Sequence, residues 1–282
     1  MTFDTCRAKL KSLAYASLKQ GVMLTMLFDK KIIACIGLML SNNVIAQQWQ
    51  LEVGGGGFYQ SSLFTGVDGT LLGLPYINAE YGRWSLGMKH GLFRYRLFDK
   101  DSSFQTWVGL GIRDETYGGI FMRDSDLSDD RVFNGYKAGD TDFTYTVSMQ
   151  WHDLALNFEQ DFSNHSEGYV ADISYQFLDI PVTQQFFIKA KAGARYYDEN
   201  YVDYIYGVSQ ENSNLRVGRY FYQGEAATNG YASIDLIYAF NKNWTLISST
   251  KAEHIADEIA NSPLVDEDVS YSMMLLLTYK GL

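Results

Sequence analysis

The side chains able to do chemistry are few in this chain and poorly placed for it. Four histidines, His90, His152, His165 and His254, are scattered, and none pairs with another at the short spacing a zinc site uses. His254, Asp257 and Ser262 are the residue types of a nucleophilic triad, yet no nucleophile motif surrounds Ser262, which precedes Pro263. The glycine run 54–57 lacks the Lys-Ser/Thr and the helix that follow a phosphate loop; in a strand it marks a tight bend or a close backbone approach. Asp124-Ser125-Asp126 hints at calcium, but the glycine and closing glutamate of a helix-loop-helix site are missing. The chain therefore reads as a non-enzyme with no cofactor and no metal.

The remaining chemistry is charge at alternating positions. Arg94 and Arg96, Glu159 and Asp161, Asp172, Lys189, Lys191 and Arg195, and Asp235 each sit on the polar side of a stretch whose other side is apolar. If those stretches close into a barrel, the charges face its lumen, where they must be paired or hydrated. A polar network that leaves little open pore is expected, with a wet channel as the alternative.

The amino terminus says how the chain reaches its site. Lys30 and Lys31 precede an apolar run, 32–40, and Val44-Ile45-Ala46 is a small-residue cleavage site, so residues 1–46 read as a secretory signal peptide cut after Ala46. Residues 1–25 lie upstream of a more natural start at Met26 or Met23 and read as a misassigned start. Only three apolar residues separate Lys31 from Cys35, too few for a lipoprotein signal. Both cysteines, Cys6 and Cys35, leave with this segment, so residues 47–282 hold no thiol and no disulfide. Six of the 23 Lys/Arg and two of the 33 acids leave as well; 17 bases and 31 acids remain, a formal net charge of −14. Nucleic acid is excluded as a partner on charge.

The elements that carry these residues are strands. Aromatics make up 15% of the chain, with 25 Gly and only 3 Pro, and the longest apolar run is far short of a spanning helix. In the stretch 270–279, Tyr271, Met273, Leu275, Leu277 and Tyr279 share one face, an oily stripe with an aromatic at each end. A soluble sandwich strand could look the same. The pattern recurs, however: Phe143, Tyr145, Val147, Met149 and Trp151 oppose Thr144, Thr146, Ser148 and Gln150, and similar faces follow along the chain. Short turns alternate with long polar loops, except at the tight His90-Gly91 hairpin, and this is the asymmetry of an outer-membrane barrel. Residues 47–282 are thus expected to form one all-β domain, a transmembrane antiparallel up-and-down β-barrel of about 12 strands, with ten as the fallback.

Four stretches, taken in order, add a resemblance. Gly54 to Tyr59, Pro75-Tyr76, Tyr204-Ile205-Tyr206-Gly207-Val208 and Asn261-Ser262-Pro263-Leu264-Val265 resemble the MltA-interacting protein/OmpV family of Gram-negative outer membranes. One departure is the end: such chains commonly finish on an aromatic residue, whereas Lys280-Gly281-Leu282 follow Tyr279 here. The resemblance implies a cell outer-membrane location, contact with outer-membrane lipid and lipopolysaccharide, and a non-catalytic role. It implies a scaffold for murein hydrolase and synthase proteins on the periplasmic side, or a porin-like or stress-related barrel. A rim-located barrel hydrolase is the remote third reading. Tyr206, Gly207 and Val208, with Ser262, Pro263, Leu264 and Val265, are its family-motif loop residues.

Overall fold

Alternation of apolar and polar residues gives twelve antiparallel strands, and they close on themselves. A computed structural model describes residues 49–87, 91–99, 101–113, 131–137 and 139–281. The strands are β1 (Trp49–Gln60), β2 (Thr70–Tyr81), β3 (Trp84–Gly87), β4 (Phe93–Arg96), β5 (Phe104–Arg113), β6 (Asp142–Trp151), β7 (Leu154–Asp161), β8 (Tyr169–Pro181), β9 (Phe186–Tyr197), β10 (Ala227–Ala239), β11 (Trp244–His254) and β12 (Val269–Lys280). Each pairs with its neighbour in sequence, and β1 pairs with β12 to complete the barrel. The presequence with its cleavage site, His90, and Asp124, Ser125 and Asp126 lie outside the described residues.

The wall is inside out relative to a soluble protein. In β6, Thr144, Thr146 and Ser148 are buried, whereas Tyr145, Met149 and Trp151 are exposed. A sandwich strand would bury the apolar set, so the oily face here meets lipid and the hydroxyl face meets the interior. The same holds for β12, where Ser270 and Thr278 are buried and Tyr271, Met273, Leu275, Leu277 and Tyr279 are exposed. Aromatic pairs mark both rims: Trp244 and Tyr279 lie 5.0 Å apart at one, Tyr145 and Phe162 4.5 Å apart at the other. No helix among the described residues is long and apolar enough to cross a membrane. The strands are what cross.

Leu275→Arg puts a cation on the lipid side near the middle of β12 and should cost about 2 to 4 kcal/mol. Ser272→Arg, pointing inward, should cost much less. Reversible urea unfolding in detergent micelles measures both, and equal costs would show the faces to be misassigned.

Two local features break the alternation. β3 and β4 have four residues each, and β3 stops at Gly87, whose φ of +135° suits only glycine. Met88, which continues the alternation of β3 in the sequence, lies outside the described residues. In β8 a bulge lies between Gln176 and Leu178. The extra residue reverses the faces beyond it, so Asp179 turns inward beside Lys189 while Leu178 and Ile180 face out.

The connections sort by end. Among the described residues, 61–69, 91–92, 131–137, 139–141, 162–168, 198–226 and 255–268 lie at one end, and 82–83, 97–99, 101–103, 152–153, 182–185 and 240–243 at the other. Glu52 pairs with Lys280, so the beginning of β1 and the end of β12 share the short-turn end. In outer-membrane barrels that end faces the periplasm.

Candidate functional site

Two constructions lie inside and over the barrel: a charged lumen, and a cap built by the long loops. In the lumen the strand register decides who meets whom. Asp172 stands opposite Arg195, and their side chains meet at 3.3 Å; Tyr231 donates its hydroxyl to the same carboxylate at 3.0 Å. Lys189 pairs with Asp179 at 3.0 Å, across the reversal made by the bulge. Lys251 pairs with Glu253 at 2.7 Å, and Asn229 and the Tyr197 hydroxyl also donate to Glu253. Ser249 donates to Asp235. On the opposite wall Arg96 donates to the carbonyl of Gly82 at 3.1 Å, and the Nε atoms of Arg94 and Arg96 make no hydrogen bond. Glu159 lies inward on β7, paired in register with Thr146 and Val170.

Nearer the long-loop end the network is buried. Arg113, the last residue of β5, donates to Asp142, the first of β6, at 2.7 Å, with both nearly inaccessible. Ser166 donates to Asp142 through its backbone N–H and its hydroxyl, and the Arg113 guanidinium also reaches the carbonyl of Gly168. The Tyr201 ring lies 4.1 Å from the guanidinium carbon, a cation–π contact. Asp161 has a different task from lumen pairing: it accepts from the N–H groups of Ser163, His165 and Glu167 and from the Ser163 hydroxyl, and so shapes the 162–168 turn.

Above this the loops form a core of their own. Helix α1 (Glu199–Tyr206) is capped by Asp198, whose carboxylate accepts from the N–H groups of Tyr201 and Tyr169. That one carboxylate ties the helix to the top of β8. Tyr201, Val202, Ile205 and Tyr206 are buried in a cluster with Phe64, Phe133, Val208, Ile259, Leu264 and Val265. The cluster also takes in Val170, Tyr197 and Ala227, inward-facing residues at the tops of β8, β9 and β10. Loops that pack on inward-facing residues must lean over the lumen, and these do. Arg219, itself buried, stitches the cap by donating to the carbonyls of Val132, Asn134 and Asn212. Burial pulls its pKa down, and the Tyr136 ring beside it offsets part of that shift.

The two motif loops meet in the cap. Ser262 donates its hydroxyl to the carbonyl of Tyr206 at 2.6 Å, and the ring of Tyr206 stacks on Phe64 at 5.7 Å. Gly207 ends α1 by donating to the Asp203 carbonyl, and Val208 exchanges backbone hydrogen bonds with Tyr222. Pro263 is half-buried; Leu264 and Val265 are buried, and Leu63 and Thr65 bind backbone to backbone with Asp266 and Leu264. Ser262 is thus held by a carbonyl inside the cap, while His254 is exposed on the outward face of β11. Among the described residues no group of three or more His, Cys, Asp or Glu could hold a metal ion.

Of the charges read from the sequence, Arg195 and Asp172 are brought together; Lys189 takes Asp179 in place of Asp235, and Asp161 serves its own turn. Alternation missed Lys251 and Glu253 because Ser248, Ser249 and Thr250 blur the faces of β11. It missed Asp179 because of the bulge. Arg113 and Asp142 carried a signal, facing residues at the ends of consecutive strands, but their burial comes from loops that have no periodicity.

A closed antiparallel barrel, oily outside, charged inside and looped at one end, is a Gram-negative outer-membrane protein, resident in that membrane. Sequence comparison then gives the family: residues 53–281 match the profile of MltA-interacting protein MipA, and the chain belongs to that family. It is 23% identical over 257 residues to the putative outer membrane protein YiaT of Escherichia coli, covering 90% of this chain and 100% of that one. It is 25% identical over 211 residues to the Escherichia coli MltA-interacting protein, covering 73% of this chain and 80% of that one. OmpV of Vibrio cholerae is 24% identical over 224 residues, covering 78% and 81%.

Proposed function

We propose that this barrel is a closed scaffold, holding murein-processing proteins at the inner face of the outer membrane, and is not a channel. The observation that carries this reading is the cap: loops from four separate connections pack on inward-facing residues at the long-loop end. A diffusion pore needs a clear outer mouth, and a loop core there stands against one. The murein partner comes from likeness to a protein named for its interaction with MltA. In this arrangement the short turns at the periplasmic end are the docking side, and the motif loops maintain the cap.

The reading is tested in two parts. Proteoliposomes carrying the purified barrel should swell no faster in small sugars than empty liposomes, and swelling at porin rates would overturn closure. Crosslinking in cells followed by purification of the barrel should recover a lytic transglycosylase or a murein synthase. Their absence, with known outer-membrane complexes recovered in parallel, would overturn the scaffold role.

A further inference from the structure

We infer that the lumen holds a binding station for a phosphate-type oxyanion, formed by Lys191, Ser233 and Lys251. These residues occupy one row across β9, β10 and β11, with Ser233 in register with Lys191 on one side and Lys251 on the other. Adjacent strands are about 4.8 Å apart, so two ammonium-bearing stems flank one hydroxyl, all three facing inward. Ser233 is only 5% exposed, and its Oγ makes no hydrogen bond in the protein. A buried hydroxyl without a partner is costly, and an oxyanion oxygen is an acceptor for its proton.

Around the row four cations and four carboxylates balance in number, and Lys191 is the cation that the ion pairs leave out. Lys189 is engaged by Asp179, Arg195 by Asp172 and Lys251 by Glu253. Among the described residues Lys191 has no carboxylate at ion-pair distance. The nearby carboxylates are held elsewhere: Asp235 by Ser249, and Glu253 by Lys251, Asn229 and Tyr197. Gln176, which faces Lys191 on the other side, directs its amide to Asp179. The Tyr231 ring, 5.7 Å from the Lys251 ammonium, flanks the station toward the cap. A tetrahedral oxyanion would take a charge-assisted bond from each lysine and the hydroxyl proton of Ser233. The inference stands whether or not the barrel is a scaffold.

The test uses the refolded full-length barrel in a zwitterionic detergent, with inorganic phosphate as the probe and glycerol phosphate alongside to tell a free anion from an esterified headgroup. Calorimetry should show saturable one-site binding of at least one of the two. Lys191→Gln and Ser233→Ala should each weaken it at least tenfold, and Lys191→Arg should keep it. Lys242→Gln, on a short turn, should leave it unchanged. Heat-modifiable migration in gels reports folding; if Ser233→Ala fails to fold, the Lys191 pair decides alone. No saturable binding to the wild type, or undiminished binding to folded Lys191→Gln, overturns the site, as does equal loss in Lys242→Gln.

Discussion

Asp142→Ala should be the most damaging single change at the long-loop end, costing about 3 to 5 kcal/mol of stability. The carboxylate is 2% exposed and receives the Arg113 guanidinium at 2.7 Å together with both donors of Ser166. Removing it leaves a cation buried without its counterion, and that residual charge is the larger part of the cost. Arg113→Met combined with Asp142→Leu removes both charges and should recover much of the loss, because paired buried charges contribute little net stability over an apolar replacement. Urea midpoints of the three proteins in micelles decide it. A cost for Asp142→Ala no greater than for the exposed Asp153→Ala would show the pair to be superficial.

Gly56→Val should prevent the barrel from closing. β1 meets β12 at the seam, where Gly56 pairs with Leu276, and a Cβ at Gly56 would lie 1.9 Å from the carbonyl oxygen of Leu275. Gly54 is similar, with a Cβ 2.3 Å from the oxygen of Leu277. Backbone on both sides cannot yield as a flexible side chain can, so the strands must part or the register must slip, and a slip of one residue turns every side chain to the wrong face. Gly55 provides the control: a Cβ there has its nearest neighbour at 3.9 Å, and Gly55→Ala should fold normally. The expected result is loss of the heat-modifiable folded band for Gly56→Val and its retention for Gly55→Ala. Normal folding of both would mean that the seam has slack the close approach denies.

Those seam glycines show what could be seen in the sequence. A glycine run with no phosphate-loop context points to a close backbone approach, and the approach is there. The faces of β6 and β12 were legible because ten unbroken residues alternate in each, and lipid outside with charge inside demands that pattern over the full length of a strand. The closed order of twelve strands follows from the same signal repeated. Legibility fails where one residue shifts the period, as at the bulge before Leu178, or where hydroxyl residues suit either face, as at Ser248 and Thr250 of β11. The cap could not be read at all beyond its motifs. Its contacts join residues as far apart as Phe64 and Val265, and an irregular loop carries no period to say what it touches.

The cap has a further consequence, for the order in which this protein comes apart. Its hydrophobic cluster draws on residues 64, 131–137, 198–226 and 255–265, so it can assemble only when the strands between them are in place. Many of its hydrogen bonds run between a side chain and the backbone, whereas the wall is a continuous ladder with lipid on one side. Two cooperative units of different stability result, and the cap should open below the temperature at which the wall yields. In hydrogen exchange the N–H groups of Val208 and Tyr222 would then exchange through a smaller, separate opening than those of β9 and β10. The barrel would still be standing, with its outer mouth briefly uncovered and the lumen charges in reach of water from that side.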